Sequence, residues 1–282
     1  VNSKDDLKLQ GEVIRKLNEL NYPTPQPTSQ DIITHCEGDQ TKIDSVLVRL
    51  QNDEPIEYIL GYAWFREREF IVNSSTLIPR QETEILVEES ESIARNLLNT
   101  DNKSLKILDI GTGSGIIIIS LEIALQDFDQ RVKFYATDSS KEAVETARAN
   151  ELIFPEITEP RILFSRTDII RDLEIDPSEH HIICANLPYI PTSDYLETQS
   201  SVLNYEPRTA LDGGTDGLDL YKRLWNQIQA KGILSFILIA ELHESHPTLY
   251  PQQMDKAFNT MLQHRLIKDQ FGVERFIVSQ PK

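Results

Sequence analysis

The chain has 282 residues, with 28 Lys and Arg against 45 Asp and Glu, for a formal charge of −17 at neutral pH. A 39 % hydrophobic and 26 % charged composition is globular rather than disordered, in a chain long enough to bury a sizeable core. The acidic excess argues against affinity that comes mainly from neutralising phosphates. Residues 1–75 hold 8 basic and 13 acidic side chains, in proportion to their length, so the charge belongs to the whole surface.

In chain order, Leu7, Val13, Ile14, Leu17 and Leu20 recur near helical period and predict a helix over 5–20. Prolines at 23, 25 and 27 break it, since each lacks an N–H and disfavours helix before it. Thr28-Ser29 is read as the cap of a second helix to residue 35, and a third is expected over 42–50. The aromatic and β-branched segment 64–72 reads as a hairpin or linker strand pair. Beyond residue 76 strands and helices alternate. Strands are predicted over 105–110, 132–137, 161–165, 181–185 and 233–240, with closing strands over 266–271 and 275–279. Helices are predicted over 82–98, 116–125, 140–150, 217–230 and 247–263. Alternating βα units demand a mostly parallel α/β sheet with helices on both faces. The closing strands are separated by too few residues for a crossover, so that pair is expected to be antiparallel. Three parts follow: a helical unit over 1–55, a hairpin linker over 56–75 and a sheet domain over 76–282.

Cys36 and Cys184, the two cysteines, form no metal-spaced pair and suggest no disulfide framework, which points to a reducing compartment. The apolar stretches 116–119 and 233–240 are too short to span a bilayer, so no membrane association is expected. No basic stretch followed by an apolar one opens the chain, so no secretory signal is expected. The chain starts at Val1, and a targeting segment removed from it would leave no trace.

Gly111-Thr-Gly-Ser-Gly115 lies where a strand meets a helix, and glycines there let the backbone turn sharply and approach a ligand. A dinucleotide fold wants a small residue one place later, where this chain has Ile116. The spacing suits an adenosyl group carrying an amino acid better than a diphosphate. Asp138 ends the second strand, where a carboxylate can accept both ribose hydroxyls; an N-cap for the next helix is the competing reading. Asp168 is placed to approach an adenine edge and Ile169 to cover its face, with a capped loop as the alternative. Asn186-Leu-Pro-Tyr189 follows the fourth strand, on the side where parallel sheets bind ligands. It suits methylation of a planar NH2 group. The Asn186 carbonyl and a neighbouring backbone C=O would take its two hydrogens and turn its π face to an incoming methyl. Tyr189 would stack on the planar group. Taken alone, the segment reads better as a Pro-stiffened turn.

Four segments in register carry a stronger signal: Leu77-Ile-Pro-Arg-Gln-Glu-Thr-Glu84, Leu108-Asp-Ile-Gly-Thr-Gly-Ser-Gly115, Asn186-Leu-Pro-Tyr189 and Tyr205-Glu-Pro-Arg-Thr-Ala-Leu-Asp-Gly-Gly214. From about Pro55 to its end the chain resembles the HemK/PrmC family, the S-adenosylmethionine-dependent methyltransferases that modify the glutamine of the Gly-Gly-Gln motif in peptide chain release factors. The resemblance implies a Rossmann-like seven-stranded methyltransferase sheet and N-terminal helices that help hold the protein substrate. It puts the methionine-side loop on Gly111, Thr112, Gly113, Ser114 and Gly115. It puts the ribose acid on Asp138, the adenine side on Ile169 beside Asp168, and the amide clamp on Asn186, Leu187, Pro188 and Tyr189. This chain departs from the family at Leu187, where the family commonly has proline, and at Gln81, again in place of proline. Leu187 keeps the backbone carbonyl the clamp needs, and Pro188 still restrains it. Glu241 resembles the family's acidic strand end, with His243 in place of an expected glycine. His243 and His246 at i,i+3 invite a metal reading, but no further Cys or His clusters with them, so a surface loop and no metal are expected.

The expected activity is transfer of a methyl group to a release-factor glutamine amide, leaving S-adenosylhomocysteine, by a monomer in a bacterial-type cytoplasm or an organelle matrix. Two alternatives stand beside it. One is a DNA or RNA amino-group methyltransferase, opposed by the −17 charge and the lack of any Lys/Arg cluster in the N-terminal segment. The other is a non-catalytic cofactor-binding module, opposed by the retained Asn186 and Tyr189.

Overall fold

The computed structural model describes residues 4–100 and 104–282. The chain opens with helices α1 (Lys4–Glu19), α2 (Pro25–His35), α3 (Gln40–Gln51) and a short α4 (Ile56–Leu60). Val13, Leu17, Ile32, Ile43, Val46 and Ile59 from these helices pack together in a hydrophobic cluster of their own. One expectation fails here. Pro25 does not break helical structure but opens α2, because a first-turn position has no intrahelical partner for an N–H and proline's missing donor is no loss. Thr28 and Ser29 therefore lie inside α2 rather than capping it, and the Ser29 hydroxyl donates back to the Gln26 carbonyl at 2.7 Å. Asp39 caps α3, accepting from the Thr41 and Lys42 amides.

Strands β1 (Tyr62–Phe65) and β2 (Arg68–Ile71) form an antiparallel hairpin. Its two turn residues, Arg66 and Glu67, have φ of 47° and 60°, the left-handed pair whose twist matches that of the strands. The Arg66 amide donates to the Glu84 carboxylate at 2.9 Å, which pins the tip to the next helix.

A 3-10 turn (Gln81–Thr83) leads into α5 (Glu84–Thr100), β3 (Leu105–Ile110), α6 (Ile116–Ala124), β4 (Val132–Asp138), α7 (Lys141–Ile153) and β5 (Ile162–Arg166). Then come β6 (His180–Ala185), α8 (Thr192–Tyr195), α9 (Ser200–Tyr205), α10 (Asp219–Ala230), β7 (Phe236–Glu241), α11 (His246–Phe258), β8 (Gln263–Lys268) and β9 (Glu274–Gln280). The seven-stranded sheet has the order β5-β4-β3-β6-β7-β9-β8. Its pairs are parallel except β7–β9 and β8–β9, which is the expected α/β, Rossmann-like sheet with an antiparallel end pair.

Period-two alternation divides the apolar residues of the central strands between two cores. Leu105 and Ile107 of β3 and Ile182 of β6 face one cluster. Leu108, Ile110 and Ile183 face the other, against Tyr221, Leu224 and Trp225 of α10. Three predicted boundaries are corrected. Ile233 is not in a strand. With Gly232 at φ 67°, the Gly232 amide bonds to the Gln229 carbonyl and that of Ile233 to the Ile228 carbonyl. Ile233 is thus the buried residue that closes a helix C-terminus. α11 stops at Phe258 rather than 263, because Asn259 turns left-handed with φ 50°. β8 spans residues 263–268 rather than 266–271, because the Asp269 carboxylate accepts from the Phe271 and Val273 amides and makes the chain turn there.

One buried side chain joins the hairpin to the sheet. Asn150 of α7 accepts from the Ile71 amide at 2.7 Å and donates to the Ile71 carbonyl at 2.9 Å and the Ser114 carbonyl at 2.8 Å. It pairs with β2 as a neighbouring strand would, and its remaining proton holds the loop after β3.

Candidate active site

β4 and β5 lie to one side of β3, and β6 and β7 to the other. The loops that leave the carboxyl ends of the strands diverge at such a reversal and open a crevice. Register sets Ile110 opposite both Thr137 and Ala185, and Ala185 opposite Ala240. Gly111, Asp138, Asn186 and Glu241, each at or just past a strand end, therefore stand at one level. A cavity opens there. Its wall includes Gly111 to Ser114, Asp138, Asp168, Ile169 and Asn186 to Pro188, with Ser75, Arg80 and Thr83 from the segment before α5. Gly115 and Tyr189 do not line it.

The glycine loop has its shape for reasons visible in its neighbours. Gly111 has φ 73°, and a Cβ there would sit 3.0 Å from Leu187 Cδ2. Gly115, at φ 84°, would place a Cβ 2.8 Å from Ile119 Cδ1 and 3.1 Å from Ala147 Cβ, so its bareness lets α6 start against α7. The Gly111 and Thr112 amides both donate to the Thr137 carbonyl at 2.8 and 2.9 Å. Between them these contacts tie the loop to the end of β4.

Asp138 holds the loop from the other side. Its Oδ2 accepts from the Gly113 amide at 3.0 Å and its Oδ1 from the Ser140 amide at 2.9 Å. The cap of α7 is Ser140, whose hydroxyl oxygen accepts from the Ala143 amide, so the capping alternative for Asp138 falls. Burial raises the Asp138 pKa above the ordinary carboxylate value, against the Ser140 and Gly113 amides that favour its charge. Asp109 is fully buried, and its Oδ2 accepts from the Thr112 hydroxyl at 2.7 Å. Burial, with Asp138 adding repulsion, pushes its pKa up to about 7 against the Thr112 bond.

On the far wall Asp168 is engaged by Arg223 and Arg171, one on each oxygen, and Arg223 first of all lowers its pKa. The expected adenine-edge contact therefore meets a carboxylate whose oxygens already have partners. Ile169 has φ 61°, an unusual conformation for a β-branched residue and one found where the surroundings impose it.

Asn186 stands at the head of a hydrogen-bond chain. Its Nδ2 donates to Thr83 Oγ1 at 3.2 Å, and Thr83 donates to Glu241 Oε2 at 2.8 Å. Tyr189 donates to Glu241 Oε1 at 2.9 Å, and Tyr221 donates to the Glu241 backbone carbonyl at 2.6 Å. Glu241 is 1 % exposed. Burial raises its pKa, opposed by the Thr83 and Tyr189 bonds and by Arg275. In the sequence neither Thr83 nor Glu241 carries an assigned role in the site, although Glu241 resembles the family's acidic strand end. The available signals were the position of Thr83 inside the Leu77–Glu84 segment and the carboxylate at the end of the strand beside β6. Leu187 is 2 % exposed and fills the space over Gly111.

His246 is buried, with Nε2 2.9 Å from the Asp216 carbonyl, and His243 Nδ1 is 2.9 Å from the Ser245 hydroxyl. Among the described residues no group of three or more His, Cys, Asp or Glu is arranged to hold a metal. Cys36 and Cys184 are buried free thiols. No helix among the described residues is long and apolar enough to cross a membrane.

No family model matches the chain. A release factor glutamine methyltransferase of Lactococcus lactis subsp. lactis is 36 % identical over 214 residues, covering 76 % of this chain and 70 % of its own. One from Bacteroides thetaiotaomicron is 33 % identical over 255 residues, covering 88 % and 83 %. One from Thermodesulfovibrio yellowstonii is 29 % identical over 271 residues, covering 95 % and 88 %. Among solved structures, the hMettl16 catalytic domain in complex with MAT2A 3'UTR hairpin 1 superposes with a TM-score of 0.56 at 13 % identity, over 95 % of this chain and 91 % of that one. The same domain with hairpin 6 gives 0.53 at 15 % identity, over 75 % and 74 %. At such identity the likeness is one of fold, that of a methyltransferase sheet. With relatives of 36 % and 33 % identity matched over 76 % and 88 % of its length, the chain belongs to the release factor glutamine methyltransferase family.

Proposed function

We propose that the protein transfers a methyl group from S-adenosylmethionine to the side-chain amide nitrogen of the glutamine in the Gly-Gly-Gln motif of a peptide chain release factor. The observation that carries this reading is the setting of Asn186. Its Nδ2 is bonded to Thr83, which leaves Oδ1 as the acceptor for the cavity it lines.

The cavity fits the donor. Asp138 has acceptor capacity beyond the two amides it holds and takes the ribose hydroxyls. Gly113 has no atom within 4 Å of where its Cβ would stand, which leaves room beside the loop for the methionine portion. Ile169 supplies an apolar wall for the adenine, and Asp168 holds Arg223 at the cavity edge. When bound, S-adenosylmethionine would supply an electrophilic methyl group on a cationic sulfur that leaves with the C–S electron pair, and the methylated nitrogen would release its surplus proton to solvent.

The protein's own contribution is positioning. An amide nitrogen is a poor nucleophile because its lone pair is delocalised. Asn186 Oδ1 and the Leu187 carbonyl accept the two amide hydrogens, draw density toward nitrogen and fix its plane, so no strong general base is required. Pro188 restrains the backbone at Leu187. Tyr189, held by Glu241, closes the clamp from outside the cavity. The helices over 1–55 take up the protein substrate, the hairpin segment over 56–75 joins them to the methyltransferase domain over 76–282, and the protein works as a cytoplasmic monomer without direct nucleic-acid contact.

Labelled cofactor and a release factor test this. Label should enter the factor and be lost when the glutamine of Gly-Gly-Gln is changed to alanine; label surviving that change refutes the reading. Asn186→Ala should keep cofactor affinity within about threefold and lower turnover by at least roughly 100-fold, the scale of a misplaced reacting group.

A further inference from the structure

The Asn186 carboxamide has two ends of similar size and opposite hydrogen-bond character, and the clamp works with only one of them facing the substrate. We infer that Thr83 and Glu241 are positioning residues that set this orientation, through a chain of hydrogen bonds whose direction is dictated by the Glu241 charge. The inference rests on the proposed methylation of an amide and adds the group that enforces its geometry.

The argument is a proton count. An ionised carboxylate accepts only, so the Thr83 hydroxyl must give its single proton to Glu241 Oε2, 2.8 Å away. Thr83 Oγ1 then has only lone pairs to offer Asn186, 3.2 Å away. Asn186 must meet it with NH2, and Oδ1 is turned to the cavity. The second Glu241 oxygen is occupied by the Tyr189 hydroxyl at 2.9 Å, so the same carboxylate fixes both ends of the Asn186–Tyr189 loop. Thr83 is 0 % and Glu241 1 % exposed, so water does not compete for the bond between them.

Protonating Glu241 removes the constraint. A carboxylic acid can donate to Thr83, which frees the threonine proton for Asn186 Oδ1 and lets the amide turn its NH2 to the substrate, whose own NH2 it would then repel. The groups facing Glu241 are Thr83 and Glu82 from the turn before α5, Tyr189 from the loop after β6, Tyr221 from α10 and Arg275 from β9. Arg275 favours the charged form and Glu82 opposes it. Turnover should therefore fall as pH drops through the Glu241 titration, and this acid limb should be absent from Glu241→Gln.

The decisive comparison is Thr83→Val against Thr83→Ser, in the full chain with release factor and saturating S-adenosylmethionine. Thr83→Val keeps the shape and removes the relay. Its kcat should fall roughly 30- to 100-fold, a misalignment-sized loss, with the calorimetric Kd for S-adenosylhomocysteine changed less than about threefold. Thr83→Ser should restore most of the rate. Full activity in Thr83→Val, a parallel loss of cofactor affinity, or failure of serine to rescue would each overturn the inference. A second arm needs no turnover. The Asn186 side-chain NH2 signals in 15N-labelled protein should move as Glu241 titrates and stop moving in Thr83→Val; signals that ignore pH in wild type, or titrate unchanged in the valine variant, overturn it as well. If wild type leaves the release factor unmethylated while these signals behave as expected, the substrate assignment fails and the relay stands.

Discussion

Asp109, near the end of β3, shows how a single side chain beneath the glycine loop couples the site to stability. Its pKa is pushed up from 3.8 to about 7, chiefly by burial. Between those values the folded chain keeps a proton that the unfolded chain has released, so the folded state binds more protons and stability falls as pH rises. Above about 7 the dependence levels off. Glu122, raised by burial to about 7, adds a slope of the same sign. Urea midpoints should therefore decline across this window, and Asp109→Asn should make the decline shallower; an unchanged slope would falsify the assignment of the proton to Asp109. Residues of this kind are only half legible in sequence. Asp138 could be singled out as a cavity residue from its place at a strand end. Whether it or Ser140 capped α7 depended on which side chain turned back toward the Ala143 amide, and only the fold decides that. Thr83 and Glu241 sit 158 positions apart, and no local pattern announces that they meet.

Among the elements, periodicity made the strands and most helices of the sheet domain legible, because each has a buried face whose spacing is set by geometry. The misses occurred where a residue satisfied a local rule in an unexpected role. Pro25 looks like a breaker and is a helix opener. Ile233 looks like the first residue of a strand and is the buried plug of a helix end. Short α4, α8 and α9 carry too few residues for any period to show. The hairpin is the element whose stability depends most on a distant group. Asn150→Leu would leave the Ile71 amide and carbonyl and the Ser114 carbonyl without the bonds they have now. The Ile71 groups are only part-buried and the Ser114 carbonyl is buried, so at about 1–3 kcal/mol for a fully buried unsatisfied group a loss of roughly 2–4 kcal/mol is expected in urea unfolding, with weaker cofactor binding because Ser114 belongs to the cavity loop. A change under about 1 kcal/mol would mean that other donors or water replace these bonds.

For the molecule as a whole, the −17 charge bears on the choice between two substrates that share a planar NH2 group. Release-factor glutamine and adenine both suit the clamp proposed at Asn186, and the acidic excess of the chain works against the second. An RNA hairpin added at physiological salt should leave the protein's electrophoretic mobility unchanged; tight, steeply salt-dependent binding would contradict this. The molecule also has an order of assembly built into its bonds. α1 to α4 bury their own cluster from nearby residues, and the hairpin closes on itself. Yet the hairpin's Ile71 is held by a side chain 79 residues further along. During synthesis the N-terminal helices can fold as soon as they emerge, while the hairpin, whose Phe65 and Phe70 pack into the core of the sheet domain, must wait for α7 and the strands beside it, contacts of long loop closure that form late. The joint between the part proposed to hold the substrate and the part proposed to hold the methyl donor thus waits for α7, and the Thr83–Glu241 bond, 158 residues apart, for β7, so the nascent chain has no assembled site until both halves exist.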